Sequence, residues 1–209
     1  LFLASHEFPL LNPVLISVAS IVGLLLLTDT PYTAYFDGAQ FIHFMLGPAT
    51  VLLAIPLYAQ ARQLQKQWLP LVLALVVGSV SAILAAVAIG WMLGLEPALL
   101  ISLMPKSATT PIAMATSEQL GGKASLTAVF VIFTGITGAV AGVPLMRLFG
   151  ERNADVKGFA LGVVAHGIAT ARAFQHSDKA GAYAGLGMGL NAALTALLVP
   201  LLAWLLGLY

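Results

Sequence analysis

Long apolar runs separated by short polar stretches dominate the chain. Five runs contain no Asp, Glu, Lys or Arg, and each has at least 21 residues: 8–28, 38–61, 67–95, 124–146 and 180–209. A helix needs about 20 apolar residues to cross ~30 Å of hydrocarbon. Lipid offers the backbone no hydrogen-bond partners, and the runs show no strand-like alternation. Each run is therefore predicted to be a transmembrane helix, which makes the chain an all-α polytopic membrane protein.

Two further hydrophobic segments are weaker, which brings the predicted total to six or seven. Residues 97–118 contain Lys106 between Pro105 and Pro111, and residues 158–171 are only 14 long. Each is either a broken span or a re-entrant loop. Cytoplasmic loops carry an excess of Lys and Arg. A re-entrant 97–118 places the basic residues between 147 and 157 on the same side as those between 62 and 66, so re-entry is the favoured prediction there.

The predicted spans fall into two triplets of opposite orientation. Their halves, 10–94 and 124–207, form an inverted repeat joined by 97–118. The middle segment is predicted to break at Gly47-Pro48 in the first half and at His166-Gly167 in the second half. Inverted repeats with interrupted helices near the membrane midplane are typical of secondary transporters.

The amino-acid composition also indicates a membrane protein. Only 8% of the residues are charged and the mean hydropathy is +0.98, whereas soluble domains carry about 25% charged residues. A net charge of +1 and the absence of cysteine exclude a basic nucleic-acid surface, a disulfide framework and a thiolate metal site. We predict one transmembrane domain over 1–209 with no cofactor, and the apolar residues from Leu1 suggest that a further span precedes them.

The most unusual polar segment combines a cation with hydroxyl groups between two prolines. Proline lacks a backbone donor and disturbs the turn around it, so nearby amides are left to face a ligand, as in anion sites at helix N-termini. The alternative is that the lysine reaches the interface and the hydroxyls bond back to the helix. The predicted binding residues are Lys106, Ser107, Thr109 and Thr110, and the predicted helix breaks are Pro105 and Pro111.

A second candidate segment follows residue 165. His166 and Thr170 share a helix face because they are four residues apart, and Arg172 offers a planar cation suited to a carboxylate. The alternative is a buried histidine bonded to the backbone, with the arginine at the interface. Asn191, inside the last apolar run, is either an interhelical hydrogen-bonding residue or part of a binding site.

At these residues the chain resembles the LrgB/CidB family of bacterial membrane proteins, also called the YohK type, and the matching half of the plant plastidal glycolate/glycerate translocator. It departs from the family pattern at Ala165, where Ser is usual, and at Ala169, where Gly is usual. The resemblance covers nearly the whole chain and is carried by residues 10–17, 47–58, 105–113, 121–130 and 166–172.

The resemblance implies two functions. One is a holin- or antiholin-like role in murein hydrolase release and autolysis; the other is transport of small carboxylates such as pyruvate, glycolate, glycerate or 3-hydroxypropionate. It further implies the bacterial inner membrane and a small LrgA/CidA-type membrane partner, and a homo-oligomer is a further expectation. Buried cations beside hydroxyl groups favour transport, since ionisable residues inside membranes mark functional sites. No intramembrane protease or hydrolase motif is present, so the protein is not predicted to be an enzyme.

Overall fold

The structure is a computed structural model that describes residues 13–52, 58 and 61–209, and the regular structure in these residues is helical throughout. The predicted all-α class is therefore confirmed. Residues 8–12, 53–57 and 59–60 of the first two predicted spans lie outside the described residues. The described helices are α1 (Pro13–Leu27), α2 (Tyr32–Leu52), α3 (Ala61–Lys66), α4 (Trp68–Met92), α5 (Pro97–Leu103), α6 (Thr110–Gln119), α7 (Ala124–Leu148), α8 (Ala154–His176) and α9 (Asp178–Leu205).

Three helices of the described part are long and apolar enough to cross a membrane. They are α4, α7 and α9, with 25, 25 and 28 residues, and they coincide with the last three predicted spans. The number is three rather than five for two reasons. For the first span, the described apolar helix is Ile16–Leu27, and residues 8–12 lie outside the described part. The second helix begins at Tyr32 and includes Asp37, so its first turns are less apolar.

The helix break predicted at Gly47-Pro48 is not found. The backbone of α2 is helical through both residues and as far as Leu52, the last described residue of this stretch. A proline removes one backbone hydrogen bond, but the bonds of the turns on either side can keep a helix continuous.

Helices α5 and α6 form a hairpin that enters the bundle and returns to the same end. Ile101 of α5 and Leu120, just after α6, pack in one buried cluster with Val87 of α4. The Lys123 N–H, at the start of α7, donates to Ser102 Oγ of α5 at 2.7 Å. With 7 and 10 residues, the two helices are roughly 10 and 15 Å long, so neither crosses the bilayer alone. This is the re-entrant arrangement that was favoured for 97–118.

Helix α8 is a second hairpin rather than one straight helix. Its backbone leaves helical values at Ala165 and His166. Gly158, before this point, lies against Ala180 of α9, and Phe174, after it, lies against the next residue, Gly181. A straight helix would separate Gly158 from Phe174 by about 24 Å. The halves 154–164 and 167–176 therefore run antiparallel to each other. The segment 158–171 thus turns back rather than continuing as one span.

The two hairpins enter from opposite ends of α7. The base of the first hairpin contacts Lys123, just before α7. At the base of the second, Ala154 packs beside Val143 and Met146, near the other end of α7. Because α7 has 25 residues, these bases are separated by about 35 Å. The hairpin at 97–119 is thus an oppositely oriented counterpart of the hairpin at 154–176.

An ion pair joins the base of the second hairpin to the start of α9. Lys179 Nζ lies 3.2 Å from Asp155 Oδ2. Burial alone raises the pKa of Asp155, but hydrogen bonds from Lys179 and the Val156 N–H, together with the Lys179 charge, hold this pKa below its ordinary value. The stabilisation is therefore present above the ordinary carboxyl pKa of about 4 and is lost as pH falls through the lower folded value.

We expect Asp155→Asn to lower the free energy of unfolding by about 0.2–1 kcal/mol at neutral pH, because the pair is partly exposed. The difference from wild type should vanish in acid below the lowered pKa of Asp155, where both chains carry a neutral side chain at this position. Chemical denaturation of the detergent-solubilised protein across pH measures this. A deficit that persists in acid would show that Asp155 acts through packing instead.

Candidate functional site

The tips of the two hairpins meet on α7. We call residues 104–109 the first tip and residues 165–167 the second tip. Ala108 of the first tip packs against the side chain of Val131. His166 Nε2, in the second tip, lies 2.8 Å from the carbonyl oxygen of the same Val131. The two polar segments selected from the sequence are thus brought together inside the bundle.

The first tip is unwound because of its prolines. Pro105 follows Met104, the residue that caps the C-terminal end of α5, and Pro111 occupies the first turn of α6. Thr109 precedes α6 with extended backbone angles (φ −65°, ψ 145°), and its side chain makes no capping hydrogen bond. The N-terminal amides of α6 therefore lack the side-chain cap that usually satisfies them.

Donor groups are concentrated at this first tip. Lys106 is half-buried, and its Nζ lies 3.5 Å from Ser107 Oγ, which is long for a hydrogen bond. Thr109 and Thr110 are also half-buried, and in the described part of the chain their hydroxyls have no hydrogen-bond partner. A cation, hydroxyls and a helix N-terminus together form a chemical environment suited to a carboxylate.

Asn191 of α9 connects the first tip to two helices. Its Nδ2 donates to the Ser107 carbonyl at 3.0 Å. Its Oδ1 accepts from Ser79 Oγ of α4 at 2.7 Å and from Thr195 Oγ1 at 3.4 Å. Asn191 is only 1% exposed. The role of Asn191 stayed open in the sequence analysis. The feature that marks this residue in the sequence is that it is the single amide side chain in a 30-residue run without charges, 180–209.

The second tip is fixed by hydrogen bonds of its own. His166 adopts a left-handed conformation (φ 43°) and is buried, and its Nε2–H donates to the Val131 carbonyl. Thr170 Oγ1 donates to the His166 carbonyl at 2.8 Å, and this hydrogen bond stabilises the bend. A Cβ at Gly135 of α7 would lie 2.7 Å from His166 Cε1; glycine makes room for the ring. The bend lies at Ala165 and His166, immediately before Gly167.

Arg172 lies away from the second tip, toward the base of the hairpin. It is six residues beyond His166, about 9 Å along the helix. Arg172 donates to Gln175 Oε1 at 3.1 Å, one turn closer to the base. The structure thus brings His166 and Ala108 of the first tip to Val131. Lys106, Ser107, Thr109 and Thr110 flank Ala108 in the chain, whereas Arg172 contacts its own helix.

Comparison with known proteins identifies one family, in agreement with the resemblance. The model of the LrgB-like family matches residues 1–205. The chain is 42% identical to the uncharacterized protein YwbG of Bacillus subtilis (strain 168) over 177 residues, covering 85% of this chain and 79% of that protein. It is 31% identical to the antiholin-like protein LrgB of Bacillus cereus (strain B4264) over 186 residues, covering 89% and 81%. No solved structure matches significantly. The chain therefore belongs to the LrgB-like family and is a membrane protein of that family.

Proposed function

We propose that this protein transports small monocarboxylates across the inner membrane of a bacterium by alternating access. The observation that carries the proposal is the first tip. There a half-buried lysine, and threonine hydroxyls without a hydrogen-bond partner among the described residues, flank the N-terminus of α6, which has no side-chain cap. Such donors deep in a membrane protein are costly unless they bind something. A short hydroxy- or oxo-acid, such as pyruvate, glycolate, glycerate or 3-hydroxypropionate, matches their charge and number.

In this mechanism the carboxylate binds at the first tip. Lys106 neutralises it, and the hydroxyls of Ser107, Thr109 and Thr110 donate to its oxygens. His166 and Thr170 close the site from the second tip, and Arg172 attracts the anion from the base of the second hairpin.

Alternating access follows from the two opposed hairpins. Withdrawal of one tip from Val131 opens the site toward one end of α7, and withdrawal of the other tip opens it toward the other end. Because His166 Nε2 donates to the Val131 carbonyl, its Nδ1 is the nitrogen available for a coupled proton. A small LrgA/CidA-type membrane protein is the proposed partner.

A second candidate function rests on the name of a relative. The Bacillus cereus protein is named antiholin-like, which suggests a regulator of murein hydrolase release. This function predicts an effect on autolysis, or a membrane leak after self-assembly, without saturation by carboxylates and without dependence on Lys106.

Uptake of radiolabelled pyruvate and glycolate into proteoliposomes tests transport, with and without a pH gradient. We expect saturable uptake that unlabelled carboxylates inhibit and that sucrose does not. Failure to take up carboxylate, both alone and after co-reconstitution with the small partner, would reject the carrier and favour the antiholin-like role. Release of both sucrose and carboxylate would instead indicate a pore.

A further inference from the structure

We propose that Asn191 is a positioning residue for substrate binding, because it holds the Ser107 carbonyl and thereby fixes the direction of the first tip. The inference rests on the proposed function and extends it to Asn191, which is not among the binding residues predicted from the sequence. The role depends on one arm of the side chain, the Nδ2–H donor, rather than on the volume of Asn191 or its contacts with Ser79 and Thr195.

The need for this donor follows from the unwound backbone of the first tip. Ser107 precedes α6, and the extended backbone of Thr109 separates it from that helix. The first amide of α6 that bonds back, that of Ala113, donates to the Thr109 carbonyl, so the Ser107 carbonyl has no intrahelical partner. Ser107 is buried, with 6% of its surface exposed, and water is therefore a poor substitute. Asn191 Nδ2 supplies the missing donor at 3.0 Å.

The position of this hydrogen bond gives it an effect on binding. Ser107 lies directly after Lys106 and two residues before Thr109, the residue that precedes α6. Fixing the Ser107 peptide therefore fixes the cation on one side and the N-terminus of α6 on the other. The other arm of Asn191 is engaged separately, since Oδ1 accepts from Ser79 Oγ at 2.7 Å. The donor to the tip and the acceptor for α4 are therefore different atoms, which separate variants can remove.

The first test compares variants that remove different hydrogen bonds of Asn191. Asn191→Leu removes the donor to Ser107 at similar volume. The double variant Ser79→Ala, Thr195→Val removes the two hydroxyls and leaves that donor in place. We expect Asn191→Leu to raise KM for carboxylate uptake at least about tenfold, with the maximal rate changed less. The double variant should stay within about twofold of wild-type KM.

A second readout does not depend on transport. The chain has no cysteine, so Thr109→Cys introduces a unique thiol at the first tip. We expect Asn191→Leu to change the rate at which a water-soluble thiol reagent labels this cysteine by at least about fivefold, as the tip loses its fixed position. Ser79→Ala with Thr195→Val should leave the labelling rate near that of Thr109→Cys alone.

The outcomes separate the two proposals. Wild-type protein that takes up no carboxylate rejects the proposed function, and the labelling rates still decide the role of Asn191. Unchanged labelling in Asn191→Leu overturns the positioning role, as does an equal KM increase in the double variant. If Asn191→Leu does not accumulate in the membrane, Asn191→Met replaces it. Its thioether sulfur is at most a weak acceptor and cannot donate to Ser107.

Discussion

Replacing Lys106 with Gln is expected to remove saturable carboxylate uptake while the protein still inserts into the membrane. Lys106 is the cation that the first tip itself carries, and in the described structure its ammonium has only a long contact with Ser107 Oγ. Removing one member of a buried charge pair costs about 2–5 kcal/mol. Apparent affinity for pyruvate or glycolate should therefore fall at least about 30-fold, measured as the KM of uptake into proteoliposomes.

The matched control is Lys123→Gln. Lys123 is exposed and lies at the base of the first hairpin rather than at its tip. Its replacement makes the same change of charge and volume and should alter KM by less than about threefold. Lys106→Arg should retain part of the affinity, because charge is preserved while the geometry changes. Normal uptake by Lys106→Gln would place the binding site elsewhere.

The second large effect is expected from Gly162→Ala, which should destabilise the second hairpin. A Cβ at Gly162 would overlap the carbonyl oxygen of Ala184 in α9. This neighbour is backbone and cannot rotate away, so the hairpin must move off α9. Overpacking of this kind costs about 1–3 kcal/mol and occasionally more. Thermal unfolding of the detergent-solubilised protein should show a midpoint several degrees lower, together with a reduced amount in the membrane.

Gly189→Ala provides the matched control. Gly189 lies in α9, the same helix that Gly162 contacts, but nothing lies within 4 Å of a Cβ at this position. Alanine also favours helix over glycine by up to about 1 kcal/mol. The Gly189→Ala midpoint should therefore equal or exceed that of wild type. Equal midpoints for Gly162→Ala and wild type would contradict the close contact between the hairpin and α9.

The sequence predicted the parts of this fold that depend on length and hydropathy. The spans containing α4, α7 and α9 follow from runs without charges, and the unwinding near residues 105–111 follows from two prolines. The kink at 165–166 was placed one residue too late, at His166-Gly167, because glycine was taken as the residue that breaks the helix. In the structure His166 itself has positive φ, and two non-helical residues suffice to reverse the chain.

Other features leave no pattern in one sequence. The site converges on Val131, which contributes a backbone carbonyl and a methyl-bearing side chain and looks like any other residue of an apolar run. The proposal that Gly47-Pro48 corresponds to His166-Gly167 came from order along the chain. The structure instead gives α2 a helical backbone through Gly47 and Pro48, because the neighbouring turns can bridge a proline.

The position of α9 in the chain has a consequence for how the protein is made. This helix is synthesised after both hairpins, yet it supplies the donor for the Ser107 carbonyl and the backbone against which Gly158 and Gly162 pack. Neither hairpin is long enough to be stable in lipid as a simple span. During synthesis, therefore, the Ser107 carbonyl lacks its donor until residues 178–205 have entered the bilayer. Packing of both hairpins into the interior can be completed only after α9 is in place.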